Sequence, residues 1–130
     1  MVLMGLLFVF NLGMRNSNAK FIDFGFLQGA IEDKPTIMPT NLDMVLCKSG
    51  KAFLVAEWKH EEEVLPMGQK IVLKGLAKQD NFTVILIYGH SDNDRMEVDK
   101  FYQVTQDSLI YLDSGVDALK SYINSWWQIS

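Results

Sequence analysis

Hydrophobic and polar residues alternate in the middle of the chain in a way that predicts a β-hairpin. Residues 41–47 alternate between the two classes, and residues 52–58 are rich in side chains that a sheet buries. Between them, residues 48–51 read Lys-Ser-Gly-Lys, a composition typical of a tight turn. The pattern therefore predicts two antiparallel strands joined by a short turn.

The residues that follow predict a helix and further strands. Apolar residues at helical spacing indicate a helix over 67–79, preceded by Pro66, and residues 82–88 form an apolar run typical of a strand covered on both faces. A strand, helix and strand of this length favour parallel pairing through a crossover. The remaining predicted elements are two short strands and an amphipathic helix, over residues 98–105, 108–112 and 117–128. The predicted fold is α/β, a mixed β-sheet flanked by helices.

Three finer expectations follow from the same pattern. We expect the mixed sheet to be centred on the hairpin, and residues 89–94 to form a polar loop after the apolar strand. On the C-terminal helix, Trp126 and Trp127 extend an apolar stripe. Adjacent tryptophans can stack on nucleobases, but we expect at least one of them to be buried against the sheet.

The N-terminus is apolar and uncharged over residues 1–13. It is too short to cross a membrane as a helix, which needs about 20 residues. It resembles the apolar core of a signal peptide, but no basic residue precedes it, so secretion is not expected. We expect an apolar N-terminal segment over 1–19, whose alternative roles are a buried strand or a partner contact, and a single domain over 20–130.

Composition and charge narrow the class of protein. Hydrophobic content of 48% and charged content of 22% are typical of globular proteins. The net charge of −4 argues against a protein that coats nucleic acid nonspecifically. It does not exclude a protein that contacts nucleic acid through a bound metal, because acids that bind metal add to the negative count. The single cysteine, Cys47, cannot form an intramolecular disulfide, which fits a reducing compartment, and its apolar strand predicts a buried thiol.

Acidic residues within the hairpin are the strongest candidates for chemistry. Strand alternation places Glu57 and Lys59 on one face and Trp58 on the other, and hairpin pairing brings the Asp43 carboxylate close to that of Glu57. An acid-x-lysine triplet is expected about once by chance in this composition. The chain holds another at 32–34, in a predicted loop. Only the Glu57 triplet ends an apolar strand, follows an acid on the preceding strand and leads into a helix.

Gln69 is a polar residue on the apolar stripe of the predicted helix, with Val72, Leu73 and Leu76 at helical spacing. A polar side chain that faces the core needs a hydrogen-bond partner. Two partners are open, namely the acid at the end of the second strand and the nearby backbone.

Three short runs in this region resemble the PD-(D/E)xK nuclease superfamily, and in particular its compact phage-encoded members. They are Pro-Thr-Asn-Leu-Asp over 39–43, Glu-Trp-Lys over 57–59 and Gly-Gln-Lys over 68–70. The chain departs from the family pattern at Leu42, where a proline often precedes the aspartate. The resemblance implies a restriction-endonuclease-like core and metal-dependent hydrolysis of phosphodiester bonds, with DNA as the favoured substrate.

The resemblance also implies a role for each site residue. Asp43, Glu57 and the backbone carbonyl of Trp58 would bind Mg²⁺, for which Mn²⁺ is expected to substitute. Lys59 would orient or help deprotonate the attacking water and offset charge at the phosphate. Gln69 would complete the catalytic set. The competing interpretation is that Glu57 and Lys59 form a surface ion pair worth at most about 1 kcal/mol.

Further site residues are expected around this set. Members of the superfamily often carry another acid before the hairpin, and Glu32 and Asp23 are both open as a third acidic ligand. Lys70, Lys74 and His60 are candidate contacts to nucleic acid, although a surface histidine is the alternative for His60.

Two other classes of function stay open beside the nuclease. One is a noncatalytic nuclease-like module for DNA binding or assembly, and the other is an interaction domain that uses the apolar N-terminal segment. The expected compartment is the cytoplasm, that of the host if the chain is phage-encoded. A homodimer is also left open.

Overall fold

The computed structural model describes residues 23–130, and the chain divides after Pro39 into two compact units. The described part of the first unit holds a short 3₁₀ helix over Phe24–Leu27, capped by the Asp23 carboxylate, which accepts a hydrogen bond from the Gly25 N–H at 2.9 Å. The expected apolar segment over 1–19 lies outside the described residues. The domain expected over 20–130 stays a prediction.

The second unit, residues 40–130, alternates strands and helices in the predicted order. Its elements are β1 (Met44–Lys48), β2 (Ala52–Lys59), α1 (Met67–Ala77), β3 (Phe82–Asp92), β4 (Arg95–Val104), β5 (Leu109–Asp113) and α2 (Val116–Ile129). The strands form one sheet in the order β1-β2-β3-β4-β5. β2 and β3 are parallel, and every other neighbouring pair is antiparallel. The predicted α/β fold with a mixed sheet and flanking helices is confirmed.

The hairpin of β1 and β2 forms as predicted because its turn residues adopt the backbone conformation that a tight turn needs. Ser49 and Gly50 have φ of 57° and 68°, in the left-handed region that suits such turns. The Lys51 N–H donates to the Lys48 carbonyl at 3.0 Å and closes the turn. The resulting register runs from Lys48 opposite Ala52 to Met44 opposite Ala56.

Strand side chains alternate between two apolar clusters on opposite faces of the sheet. On what we call the α1 face, Leu73 of α1 packs with Leu86 of β3. On the α2 face, Trp126 of α2 packs over Leu54 and Ile85. Because each face is covered by a helix, β2 and β3 are buried on both sides, which explains their continuous apolar runs. The expected burial of at least one tryptophan is confirmed by Trp126, which is 6% exposed.

Three expectations about the sheet were wrong. The hairpin lies at one side of the sheet, because β4 and β5 both add beyond β3, which makes β3 the central strand. Residues 89–92 are not a loop but continue β3 and pair with β4, and the turn is confined to Asn93 and Asp94, which have positive φ. Their polarity reflects the exposure of this end of the strand. Cys47 is exposed rather than buried.

The length and hydropathy of a helix determine whether it can span a membrane. Within residues 23–130, no helix combines the length and the apolar character needed to cross a bilayer.

Gly89 provides a test of how closely the sheet packs under Trp58. A Cβ at Gly89 would overlap the Trp58 ring and the backbone carbonyl of Glu97. We predict that Gly89→Ala lowers the free energy of unfolding by about 1–3 kcal/mol in urea titrations, as overpacking generally does. The control is Gly75→Ala in α1, where a Cβ meets nothing within 4 Å. That variant should gain up to about 1 kcal/mol from helix propensity. Equal effects of the two substitutions would contradict this packing.

Candidate functional site

Glu57 is the only buried charged side chain within residues 23–130, with 4% of its surface exposed. It lies near the end of β2 on the α1 face. Its Oε2 atom accepts a hydrogen bond from Gln69 Nε2 at 3.0 Å and lies 3.5 Å from Lys59 Nζ. The side chain of Lys59 is itself only 12% exposed. The structure therefore brings together three of the predicted site residues around one carboxylate.

Asp43 reaches the same strand end from the edge of the sheet. It precedes β1, and since Met44 pairs with Ala56, the next step of the register places Asp43 opposite Glu57. The Asp43 Oδ2 atom accepts a hydrogen bond from the Trp58 N–H at 2.8 Å. This bond replaces the one that a longer β1 would have supplied, and it fixes the aspartate beside β2.

The hydrogen bond from the Trp58 N–H to Asp43 also shows in which direction the Trp58 carbonyl points. In an antiparallel pair, the N–H and C=O of one residue point to the same neighbouring strand. Since the Trp58 N–H points to Asp43, the Trp58 carbonyl is directed to the same side of β2. The Trp58 indole packs instead at the margin of the cluster on the α2 face, as strand alternation predicts. The predicted carbonyl ligand is thus on the Asp43 side of the strand.

Burial raises the pKa of the Glu57 carboxyl above its ordinary value of 4.5, and the negative charge of Asp43 raises it further. Lys59 and Gln69 favour the ionised form of Glu57, but they do not cancel the cost of burial. One desolvated carboxylate, that of Glu57, therefore lies beside the exposed carboxylate of Asp43, with one lysine nearby. This is an electrostatic environment that a cation would stabilise.

Gln69 leaves one buried atom without a partner. Its Nε2 donates to Glu57, whereas its Oε1 has no hydrogen-bond partner among residues 23–130. A buried acceptor left unsatisfied costs about 1–3 kcal/mol. The side chain does reach the acid at the end of β2, which is one of the two alternatives that the sequence left open. This amide oxygen is out of reach of bulk solvent, so a donor that satisfies it has to enter the site.

The donors present fit a Mg²⁺ ion that keeps part of its water shell. The described residues contain no group of three or more His, Cys, Asp or Glu side chains that could hold a metal. Mg²⁺ does not require such a group, because it is usually bound through one or two carboxylates together with several waters. Asp43 and Glu57 supply two carboxylates, and the Trp58 carbonyl would be a further hard oxygen donor. The site suits Mg²⁺ better than Zn²⁺, which prefers nitrogen and sulfur ligands.

The other predicted site residues lie in different surroundings. His60 is in an exposed turn, where its N–H donates to the Glu63 carboxylate at 2.7 Å. Asp23 and Glu32 both belong to the first unit, where Asp23 caps the 3₁₀ helix and Glu32 is exposed in a turn. The third acidic ligand stays a prediction.

Lys70 and Lys74 line a cleft between α1 and the end of the sheet formed by β4 and β5, together with Val104 and Leu109. Leu73, which packs on β3, lines the same cleft, whereas Gln69 bonds to Glu57 of β2. The two lysines share one surface, and their contact with nucleic acid stays a prediction.

Sequence reasoning missed a set of residues on the same face. Lys59 pairs across the sheet with Tyr88, which in turn pairs with Lys100, so the three side chains form one cross-strand row. The Lys100 Nζ lies 5.2 Å from the centre of the Tyr88 ring. Cross-strand neighbours are distant in sequence, and only the register brings them together. The available signal was the same-face spacing of Lys100, Tyr102 and Val104 along β4.

Comparisons with known proteins found no relative of this chain. No family model, curated protein or solved structure matched the chain. The resemblance to PD-(D/E)xK nucleases therefore stays a prediction that rests on the three short runs.

The raised pKa of Glu57 predicts how pH affects stability in the absence of metal. Well below pH 4.5, Glu57 is protonated in both the folded and the unfolded state. As pH rises, the unfolded state loses this proton first, so the folded state becomes less stable until pH passes the raised pKa. We predict that Glu57→Gln gains stability relative to wild type across this window and that the gain is constant above it. Urea denaturation in EDTA at a series of pH values measures the difference.

The matched control is Glu61→Gln, which removes the same charge from an exposed position. The predicted gain comes from burial. A Glu57→Gln variant whose stability follows that of Glu61→Gln at every pH would contradict the account.

Proposed function

We propose that this chain is a Mg²⁺-dependent nuclease with a restriction-endonuclease-like core of the PD-(D/E)xK type, and that it hydrolyses phosphodiester bonds in DNA. One observation carries the proposal. A buried carboxylate with a raised pKa, that of Glu57, is contacted by both Lys59 and Gln69 and lies beside Asp43. A surface ion pair, the competing interpretation, would not be 4% and 12% exposed.

The metal ligands would be Asp43, Glu57 and the Trp58 carbonyl, with water in the remaining positions. The chemistry that bound Mg²⁺ supplies is neutralisation of phosphate charge and acidification of a water molecule. Asp43 is held for this role by its bond to the Trp58 N–H, and Glu57 is held by Gln69. Both carboxylates are therefore positioned before the ion arrives, which reduces the reorganisation that binding requires.

Lys59 would act on the water and the phosphate. Its ammonium group can donate to the attacking water and offset the charge that builds on the phosphate oxygens during attack. Its low exposure strengthens both interactions, since water screens them less. Gln69 Oε1, which lacks a partner, is available to accept a hydrogen bond from the same water. Donor and acceptor together would fix the orientation of the nucleophile.

We propose that the enzyme acts in the cytoplasm, and in that of the host if the chain is phage-encoded. Replication, recombination and degradation of host DNA are the processes that would use such an activity.

The test is cleavage of labelled DNA by the full chain with Mg²⁺, Mn²⁺ or EDTA, on duplex, single-stranded, flap and four-way-junction substrates. We predict cleavage with either metal and none in EDTA. Lys59→Ala should lower the rate by about a hundredfold or more, as loss of a group that acts on the proton or the nucleophile generally does.

The control is Lys34→Ala, which removes the lysine of the other acid-x-lysine triplet, in an exposed turn. It should cleave at the wild-type rate. Equal rates for Lys59→Ala and wild type would contradict the assignment. If neither protein cuts and Mn²⁺ does not shift the melting temperature, the noncatalytic module becomes the better account.

A further inference from the structure

Three tyrosines cross the α1 face of the sheet from β3 to β5. Tyr102 lies opposite Leu86 on β3 and opposite Tyr111 on β5, and Tyr88 is the next residue on this face of β3 after Leu86. Neighbouring rings meet edge to face, with centroids 6.0 Å apart for Tyr88 and Tyr102 and 5.8 Å apart for Tyr102 and Tyr111. We call these residues the tyrosine row. Its rings are partly exposed, and Tyr111 is 56% exposed.

Lys100 connects the tyrosine row to the candidate site. It pairs with Tyr88, which pairs with Lys59 on β2. Its Nζ atom lies 5.2 Å from the centre of the Tyr88 ring and 5.9 Å from that of Tyr102. The tyrosine row therefore begins beside the lysine of the candidate site and carries a positive charge there.

Lys70 and Lys74 place more positive charge along the tyrosine row. They line a cleft whose sheet side includes Val104 and Leu109. Each of these apolar residues is two positions along its strand from a tyrosine of the row, and so lies on the same face. The cleft and the row are thus adjacent, with apolar and aromatic side chains below and lysines beside them. We call the row and the cleft together the tyrosine groove.

Charge sets the direction of the tyrosine groove. Beyond Lys100, the acids Asp92 at the end of β3, Asp94 in the turn and Glu97 in β4 outnumber the single Arg95, and Asp99 is paired with His90 at 3.0 Å. These acids repel phosphate. A polyanion leaving the candidate site would therefore run from Lys100 toward β5.

We propose that the tyrosine groove binds single-stranded nucleic acid and delivers it to the candidate site, so that the substrate class is a single strand or a frayed end. Aromatic rings bind unpaired bases by stacking without regard to sequence, and lysines alongside match the backbone phosphates. A duplex keeps its bases stacked on one another and cannot offer them to the rings. The inference rests on the proposed nuclease function, but binding can be measured without it.

The alternative explanation is structural, because cross-strand aromatic pairs also stabilise a sheet. Tyr111 and Ile110 allow the two to be separated. They are adjacent on the edge strand β5, are 56% and 48% exposed, and point to opposite faces. Truncation of either removes a large exposed side chain from the same strand, but only Tyr111 belongs to the tyrosine groove.

The experiment is fluorescence anisotropy of labelled oligo-dT and oligo-rU of about 15 nucleotides, a length that matches typical single-strand sites. The full chain is titrated in EDTA, where the proposed nuclease cannot act. We expect Tyr111→Ala to weaken binding about tenfold and Ile110→Ala by less than about twofold. The slope of the logarithm of the binding constant against the logarithm of the salt concentration should become shallower by roughly 0.7 for Lys70→Ala and by the same amount for Lys74→Ala. Urea denaturation of every variant confirms that it is folded.

The proposal is overturned if Tyr111→Ala binds as tightly as Ile110→Ala, or if a duplex of equal length binds more tightly than the single strand. The proposal is supported if oligo-dT or oligo-rU binds and the variants lose affinity as expected. The oligonucleotide that binds more tightly shows whether the groove prefers DNA or RNA. The two proposals fail separately. Predicted binding in EDTA without cleavage in Mg²⁺ would sink the nuclease alone, whereas duplex cleavage unaffected by Tyr111→Ala would sink the tyrosine groove alone.

Discussion

Desolvation of one carboxylate, that of Glu57, is the constraint on which the candidate site depends. An acid that is 4% exposed is tolerated only if its surroundings offset the loss of hydration. Lys59 and Gln69 do so in part, while Asp43 adds negative charge, so the pKa of Glu57 stays raised. Sheet and helix thus hold the acid in a state that costs stability. Such a cost is common at functional sites, where the missing stabilisation comes from a ligand.

The fold explains why these groups meet. β2 ends where α1 begins to cover the sheet, so Gln69, near the start of α1, is level with Glu57, near the end of β2. The parallel crossover to β3 requires a helix at this place. β1 is shorter than β2, and the Trp58 N–H that it leaves unpaired is bonded by Asp43 instead. The site lies where β2 ends and where β1 and α1 begin.

Local sequence patterns predicted most of the fold around the site. The features that they did not predict are set by pairing between strands that are distant in sequence. The hairpin and α1 followed from alternation, turn residues and helical spacing, which depend on neighbours in sequence. The same spacing placed Gln69 on the core-facing stripe of α1 but left two partners open for it. The edge position of the hairpin did not, because nothing local says on which side β4 and β5 add. Residues 89–92 were mistaken for a loop since an exposed strand has no apolar signal. The tyrosine row was missed because it exists only through register.

The most direct test of the account is to locate Mn²⁺ by its paramagnetic effect on the ¹⁵N NMR spectrum of the full chain. At substoichiometric Mn²⁺, the account predicts that the backbone amide of Trp58 and the side-chain amide of Gln69 broaden first. The acidic segments 61–63 and 92–94 offer carboxylates without the buried arrangement around Glu57. Broadening at those segments, with Trp58 and Gln69 unaffected, would contradict the assignment of a metal to the Glu57 site.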